Sequence, residues 1–395
     1  MDKVRFGIVG FGNMGTGHAK NLLSGKIENG VLSAICDINP KKFELLDEKY
    51  RDQVKTYTDA KEMFLSGEVD VVMICTPHYS HPELAILAMD CNLHCIVEKP
   101  AGVYTLQVKQ MLERNKTNEK ILGIMFNQRT SPCFIKMRQL IKDGVIGEIK
   151  RTNWIITNWY RTQLYYDSGS WRATWAGEGG GVLYNQAPHN LDLFQWITGM
   201  MPSKVRAFCH FGKWHDIEVE DDVTCYVEYP NGATGVFITC TADAPGTNRF
   251  EITGTKGKIV FDANTGSDKG VTVELTTLNE DERAHCYNCP ESFKAPSANK
   301  TELVQFDKNE PQHVAICNNV ANAILGLEEL YAPASDGING VELANAMHLS
   351  SWLNETVTLP INDELFYEEL KKRIAISKPR ENVNDDVVES QGTKR

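Results

Sequence analysis

Over the first third of the chain, short apolar runs alternate with stretches whose apolar residues recur every three or four positions. Residues 4–9, 31–36, 70–75, 94–97 and 121–126 are nearly continuous in Val, Ile, Met, Phe and Cys, the pattern of strands buried on both faces of a parallel sheet. Residues 14–23, 40–49, 81–90 and 106–115, lying between them, carry the helical period. This alternation predicts an α/β fold: a doubly wound parallel sheet over residues 1–126.

Beyond Phe126 the pattern changes. A helix is expected at 133–142, followed by a long strand at 148–159, a glycine-rich stretch, and strands at 205–211, 223–229, 233–241 and 250–253. Pro230-Asn231-Gly232 and Thr255-Lys256-Gly257 have the composition of hairpin turns, glycine supplying the positive φ. Hairpins imply antiparallel pairing, so residues 127–376 are expected to form a second, α+β domain, closed by helices at 312–325 and 341–355. The polar stretch 377–395 reads as a disordered tail.

A length of 395 residues agrees with two domains. The net charge of -11 argues against a nucleic-acid surface, which needs cations to neutralise phosphates. No apolar run approaches the roughly 20 residues of a membrane span, and the chain enters a strand pattern directly with no signal-peptide pattern ahead of it. Most of the 11 cysteines sit in apolar stretches, where a thiol behaves as a small hydrophobe, so a reducing, cytoplasmic setting is expected. The one paired spacing, Cys286 and Cys289 beside His285, lacks a second pair, and no metal site is expected.

Gly10-Phe11-Gly12-Asn13-Met14-Gly15 carries Gly-x-Gly-x-x-Gly between a strand and a helix. In that setting Gly10 permits the turn, Gly12 lets the backbone approach a pyrophosphate, and Gly15 lets helix and strand pack closely. Asp37 ends the second strand, where a carboxylate accepts ribose hydroxyls and repels a 2′-phosphate, favouring NAD over NADP. Two further strand ends point toward the same edge: Thr76-Pro77, with His81 beyond, and Glu98-Lys99-Pro100. With Asn127 these residues complete the candidate cofactor set. Lys99 could stabilise a developing alkoxide, with Glu98 orienting it. His189 suits the removal of a hydroxyl proton, since a free imidazole titrates near pH 6.5; the plain alternative is a core histidine on an apolar helix. If that helix began at Asn185, residues 185 and 189 would share a face, although Pro188 suits only a first turn. Tyr160, Arg161, Trp171 and Arg172 offer aromatic faces and guanidinium forks for a polyol or glycoside.

The ordered set of Gly10-x-Gly12-x-x-Gly15, Thr76-Pro77 with His81, Glu98-Lys99-Pro100, and Gly179-Gly180-Gly181 with His189 resembles the glucose–fructose oxidoreductase, inositol dehydrogenase and rhizopine-catabolism (Gfo/Idh/MocA) family over roughly residues 3–360. The resemblance implies a Rossmann domain, then an α/β domain whose large open antiparallel sheet often makes homodimer or homotetramer contacts. It also implies NAD(P)-dependent redox chemistry on sugars or cyclitols, with Lys99, Asn185 and His189 lining the reacting carbon. Asn185 departs from the family, which commonly has aspartate there, and an amide cannot carry a proton at neutral pH. His189, helped by Lys99, is then left to move the proton while Asn185 holds substrate. Within the family the Trp/Arg-rich stretch suggests members acting on pyranosides, including oxidation of a glucoside at ring carbon 3. The alternatives are an NAD- or sugar-binding regulator without activity, and a glycosidase that uses transient NAD oxidation.

Overall fold

The computed structural model describes residues 3–264, 270–306, 311–380 and 383. The chain begins β1 (Val4–Val9), α1 (Asn13–Leu23), β2 (Gly30–Cys36), β3 (Lys55–Tyr57), α2 (Ala60–Leu65), β4 (Val71–Ile74), α3 (Ser80–Asp90), β5 (His94–Val97), α4 (Thr105–Lys116) and β6 (Leu122–Ile124). These strands form a parallel sheet in the order β3-β2-β1-β4-β5-β6. β4 is buried at every position and β1 and β5 at all but one, so their apolar runs are continuous rather than alternating. The order reverses between β1 and β4, and the crevice beyond the carboxyl ends at such a reversal is where this architecture takes ligands.

The chain continues with α5 (Pro132–Lys142), β7 (Ile149–Ile156), α6 (Gln163–Tyr166), α7 (Pro188–Thr198), β8 (Lys204–Phe211), β9 (Glu220–Glu228), β10 (Thr234–Cys240), β11 (Asn248–Gly254), β12 (Gly257–Asp262) and β13 (Val271–Leu278). Then follow α8 (Glu282–Asn288), β14 (Ala298–Phe306), α9 (Gln312–Ile324), α10 (Ala334–Leu353), β15 (Val357–Thr358) and α11 (Asp363–Ile374). The second sheet has nine strands in the order β14-β13-β12-β11-β7-β10-β9-β8-β15. All its pairings are antiparallel except β7 with β10. Both expected hairpins are present, joining β9 to β10 and β11 to β12. Trp154, Phe237 and Phe250 project from its inner face, Trp154 stacked on Phe250 with centroids 4.4 Å apart. Phe134 of α5 and Phe194 of α7 pack against the same cluster. Ile155, Phe208 and Tyr226 lie exposed on the opposite face.

Two expectations need correction, and one open alternative closes. The helix expected over 40–49 is two short 3₁₀ turns, Pro40–Leu45 and Glu48–Tyr50. Neither turn has a buried residue, and a helix without a packed face has little to hold it beyond propensity. The helix carrying His189 starts at Pro188 and not at Asn185: proline fits the first helical position, where its missing N–H costs nothing. The tail does not begin as free chain at 377. Ser377 Oγ and Lys378 N donate to the two Glu218 carboxylate oxygens at 2.6 and 2.7 Å, and Arg380 donates to Asp216 O at 2.7 Å and to Asp167. Apart from residue 383, the remaining tail lies outside the described residues. Among the described residues, no helix is long and apolar enough to cross a membrane.

One buried ion cluster ties the two halves together. Arg129, just after β6, donates through Nε and Nη2 to both Asp192 oxygens of α7 at 2.7 and 2.5 Å, and through Nη1 to Asp336 of α10 at 2.7 Å. Arg129 and Asp192 are each 1% exposed. Replacing Arg129 with Met would strand the Asp192 charge, and a loss of about 3–5 kcal/mol is expected in urea unfolding. The double variant Arg129→Met/Asp192→Leu should recover part of it. A single variant as stable as wild type would show that the cluster contributes nothing net.

Candidate active site

The loop from β1 to α1 has the geometry of a phosphate cradle. Gly10 sits at φ +89, and a Cβ there would lie 2.7 Å from Cys75 O. A Cβ on Gly15 would stand 2.1 Å from Gly10 O, whereas one on Gly12 would meet nothing within 4 Å. Gly12 is also the N-cap of α1, and no side chain caps it. The helix amino terminus therefore presents N–H groups and a partial positive charge toward open space. Asp37 accepts the Phe11 N–H at 2.8 Å and the Asn39 N–H at 2.8 Å, which fixes its carboxylate beside the loop with lone pairs left for ribose hydroxyls. These residues fit a dinucleotide.

The contrast between the two glycines gives a test. Gly15→Ala should fail to form a stable sheet, because the obstructing atom is backbone and cannot swing away. Gly12→Ala should melt like wild type but bind NAD about tenfold or more weakly, a penalty of about 1.4 kcal/mol, measured by calorimetry. Unchanged NAD affinity in Gly12→Ala would remove this loop from the cofactor reading.

At the end of β5, Lys99 Nζ donates to the Asn185 carbonyl at 2.8 Å. Asn185 lies in the segment leading into α7, whose second residue is His189. The His189 ring is 9% exposed and packs edge-on to Phe126 at 6.5 Å. The Asn185 side chain is tightly held: its Nδ2 donates to Glu178 Oε1, and its Oδ1 accepts from Tyr165 OH at 3.0 Å and Gln186 Nε2 at 3.1 Å. Tyr165 OH in turn accepts from Arg172 Nη1 at 2.9 Å. Arg161 and Arg172 lie 5.0 and 4.7 Å from the Tyr165 ring centroid, and Arg172 also covers Trp171 at 4.7 Å. His78 turns Nδ1 toward Glu178 O at 3.1 Å. Burial first, then His81, Lys99 and Arg172, hold its ring well below the usual histidine range.

The expected residues divide. Lys99, Asn185, Arg161, Trp171 and Arg172 belong to one contiguous region. Glu98, expected to orient the Lys99 ammonium, pairs through Oε1 with His18 Nε2 at 2.8 Å and accepts the Lys99 backbone N–H at Oε2, 3.3 Å away. Burial alone would lower the His18 pKa, but the Cys317 thiol and Glu98 raise it to about 10. The ligand atoms of His18, Cys75 and Glu98 lie within 4.8 Å of one another, and the His18–Glu98 pair at 2.8 Å organises this cluster. His81 braces two strand ends, its two nitrogens 2.7 and 2.8 Å from the Thr76 and Pro100 carbonyls. Thr76 Oγ1 accepts from Ser80 Oγ at 2.7 Å. Asn127 is buried and donates to Gln312 Oε1 at 3.2 Å. Tyr160 is 52% exposed at the rim, and Trp159 and Trp175 are core residues. Sequence reasoning missed His78, Tyr165, Glu178 and Gln186. Glu178 immediately precedes the glycine run 179–181, yet nothing in the spacing links it to Asn185.

Residues 4–126 match the model of the GFO/IDH/MocA oxidoreductase family with its NAD-binding Rossmann fold, and residues 134–260 match a GFO/IDH/MocA C-terminal domain. The chain is 28% identical over 266 residues to myo-inositol 2-dehydrogenase of Thermotoga maritima, covering 66% of this chain and 75% of that protein. It is 26% identical over 295 residues to levoglucosan dehydrogenase of Pseudarthrobacter phenanthrenivorans, covering 66% and 74%. Among solved structures, the WlbA dehydrogenase of Bordetella pertussis, a complex with NADH and UDP-GlcNAcA, superposes with a TM-score of 0.73 at 23% identity, over 91% of this chain and 100% of that one.

Proposed function

We propose, because the chain belongs to the GFO/IDH/MocA family of NAD-binding oxidoreductases, that it oxidises a secondary ring hydroxyl of a sugar, glycoside or cyclitol. The observation that carries the reading is the convergence of Lys99 Nζ, at the carboxyl end of β5, on the Asn185 carbonyl just ahead of His189. A fixed ammonium there lowers the energy of an alkoxide as it forms. His189 accepts the hydroxyl proton. Tyr165, Arg161, Arg172 and Trp171 form a wall of donors and ring faces suited to a polyhydroxylated ring. NAD, when bound, supplies the nicotinamide that accepts the hydride from the same carbon.

The likeness to inositol and levoglucosan dehydrogenases supports this substrate class. Asp37 supports NAD over NADP, since its carboxylate would repel the ribose 2′-phosphate of NADP. We also read the exposed apolar face at Ile155, Phe208 and Tyr226 as a contact between copies of this chain.

The test is the nicotinamide absorbance of purified protein mixed with NAD and, in turn, myo-inositol, levoglucosan, methyl glucosides and free hexoses, repeated with NADP. Reduction with one class, and with NAD in preference, is expected. NMR of the product then identifies the oxidised carbon. NAD binding without reduction on any member would favour a sensor, and a freed aglycone without net NADH a glycosidase using transient oxidation.

A further inference from the structure

The site holds one carboxyl group without an assigned role. Glu178 is 2% exposed. Its Oε2 accepts the Ala173 N–H at 2.7 Å and its Oε1 accepts from Asn185 Nδ2. Asn185 is also the residue whose carbonyl takes the Lys99 ammonium at 2.8 Å. A carboxyl so deeply buried is costly and needs a reason beyond packing.

Resting on the dehydrogenase reading above, we propose that Glu178 is the carboxylate of this active site acting at one remove: it positions the Asn185 amide and serves as counter-charge to Lys99, supplying from residue 178 the acid that position 185 lacks. In this arrangement the amide relays position, not protons. With both hydrogens of Nδ2 available to Glu178 and its surroundings, Oδ1 is turned toward Tyr165 OH and Gln186 Nε2, and the backbone carbonyl is turned toward Lys99. Neutralising Glu178 loosens the amide and removes a negative charge that acts on the ammonium.

The charged and titratable groups facing Glu178 are few. Arg172 approaches from its own loop and Lys99 from the end of β5. His78, from the loop after β4, is neutral, and Tyr166 of α6 is held protonated, chiefly by burial. Burial raises the Glu178 pKa above its ordinary 4.5, while Arg172, the Ala173 N–H, Asn185 and Lys99 oppose the shift. The folded protein therefore holds this proton more tightly than the unfolded chain does. The stability it contributes is complete below about pH 4.5 and is lost as pH rises through the folded value.

The experiment relocates the carboxyl. Four proteins are compared: wild type, Glu178→Gln, Asn185→Asp, and the exchange Glu178→Gln/Asn185→Asp. NADH formation with myo-inositol and with methyl β-glucoside is followed from pH 5 to 9, and melting temperature is measured over the same range without substrate. The proposal expects kcat to fall about tenfold or more in each single variant, with KM changed less, and to return to within about threefold of wild type in the exchange, where one carboxyl is present again. The acid limb of the wild-type kcat profile should shift in Glu178→Gln and reappear in the exchange. Glu178→Gln with wild-type kcat and pH profile, or an exchange no better than its worse parent, overturns it. If wild type makes no NADH with these probes or with any other member of the panel above, the dehydrogenase reading is what fails, and the melting data decide alone. Matching pH dependence in wild type and the exchange, absent from Glu178→Gln, supports a carboxyl shared between the two positions. An exchange that follows Glu178→Gln overturns it.

Discussion

Lys99→Met is expected to lower kcat by about 10²–10³-fold, the usual loss when a preorganised charge-stabilising donor is removed, with NAD affinity within about threefold of wild type. Methionine keeps the length and apolar stem of lysine but not its charge, so the crevice keeps its shape. The Asn185 carbonyl loses its ammonium donor at 2.8 Å, and water can replace that donor because Lys99 is only partly buried. The alkoxide loses a cation already in place before charge develops, and no mobile water reproduces it without reorganisation. Lys99→Arg should not rescue, since a planar fork cannot occupy the place of a compact ammonium. Because the lost interaction grows with alkoxide charge, kcat and kcat/KM should fall together. Steady-state NADH formation and calorimetric NAD titration of the same protein are the measurements. A wild-type kcat would take Lys99 out of the chemistry.

The parts of this molecule that were legible in its residues are those fixed by short-range necessity. β1 and β5 run over the expected ranges because both faces of each strand are buried, so the apolar run itself is the strand. Gly10 and Gly15 were legible because backbone crowding allows nothing larger. Elements with thin apolar stripes escaped: α11 buries only Phe366 and Leu370, and β14 has no buried position. The doubly wound sheet and the antiparallel hairpins followed from pattern, but the parallel pairing of β7 with β10 did not, since it depends on a long connection. At the site, Lys99 and His189 could be picked out as residue types at strand and helix ends. Their surroundings could not. The Glu98–His18 pair spans 80 positions, and Asn185 meets Glu178 only because the chain turns back through a glycine at φ +84. Contacts made by folding leave no period in the sequence, so the buried Glu178 carboxyl was hidden while the His189 imidazole was not.

His189→Ala should lower kcat by about 10²–10⁴-fold, the range for a positioned general base. Every residue of α7 is buried, with His189 at its first turn and at the limit of burial. The ring thus stands where core meets crevice, and alanine removes a base and some packing at once. His189→Asn separates the two effects, since it retains polar volume at the same backbone position without a group that titrates. Both variants should lose turnover to a similar degree if proton acceptance is the role, and only alanine should lose stability if packing is. The pH profile adds a sharper distinction. Without a base, the hydroxyl proton must go to solvent, so the residual rate should climb with pH where the wild-type rate has levelled off. Lys99→Met, which lacks a charge and not a base, should show no such climb. If His189→Asn turns over like wild type, His189 is a core residue and the proton leaves by another path, for which Tyr165, bonded to both Arg172 and Asn185, is the next group to replace.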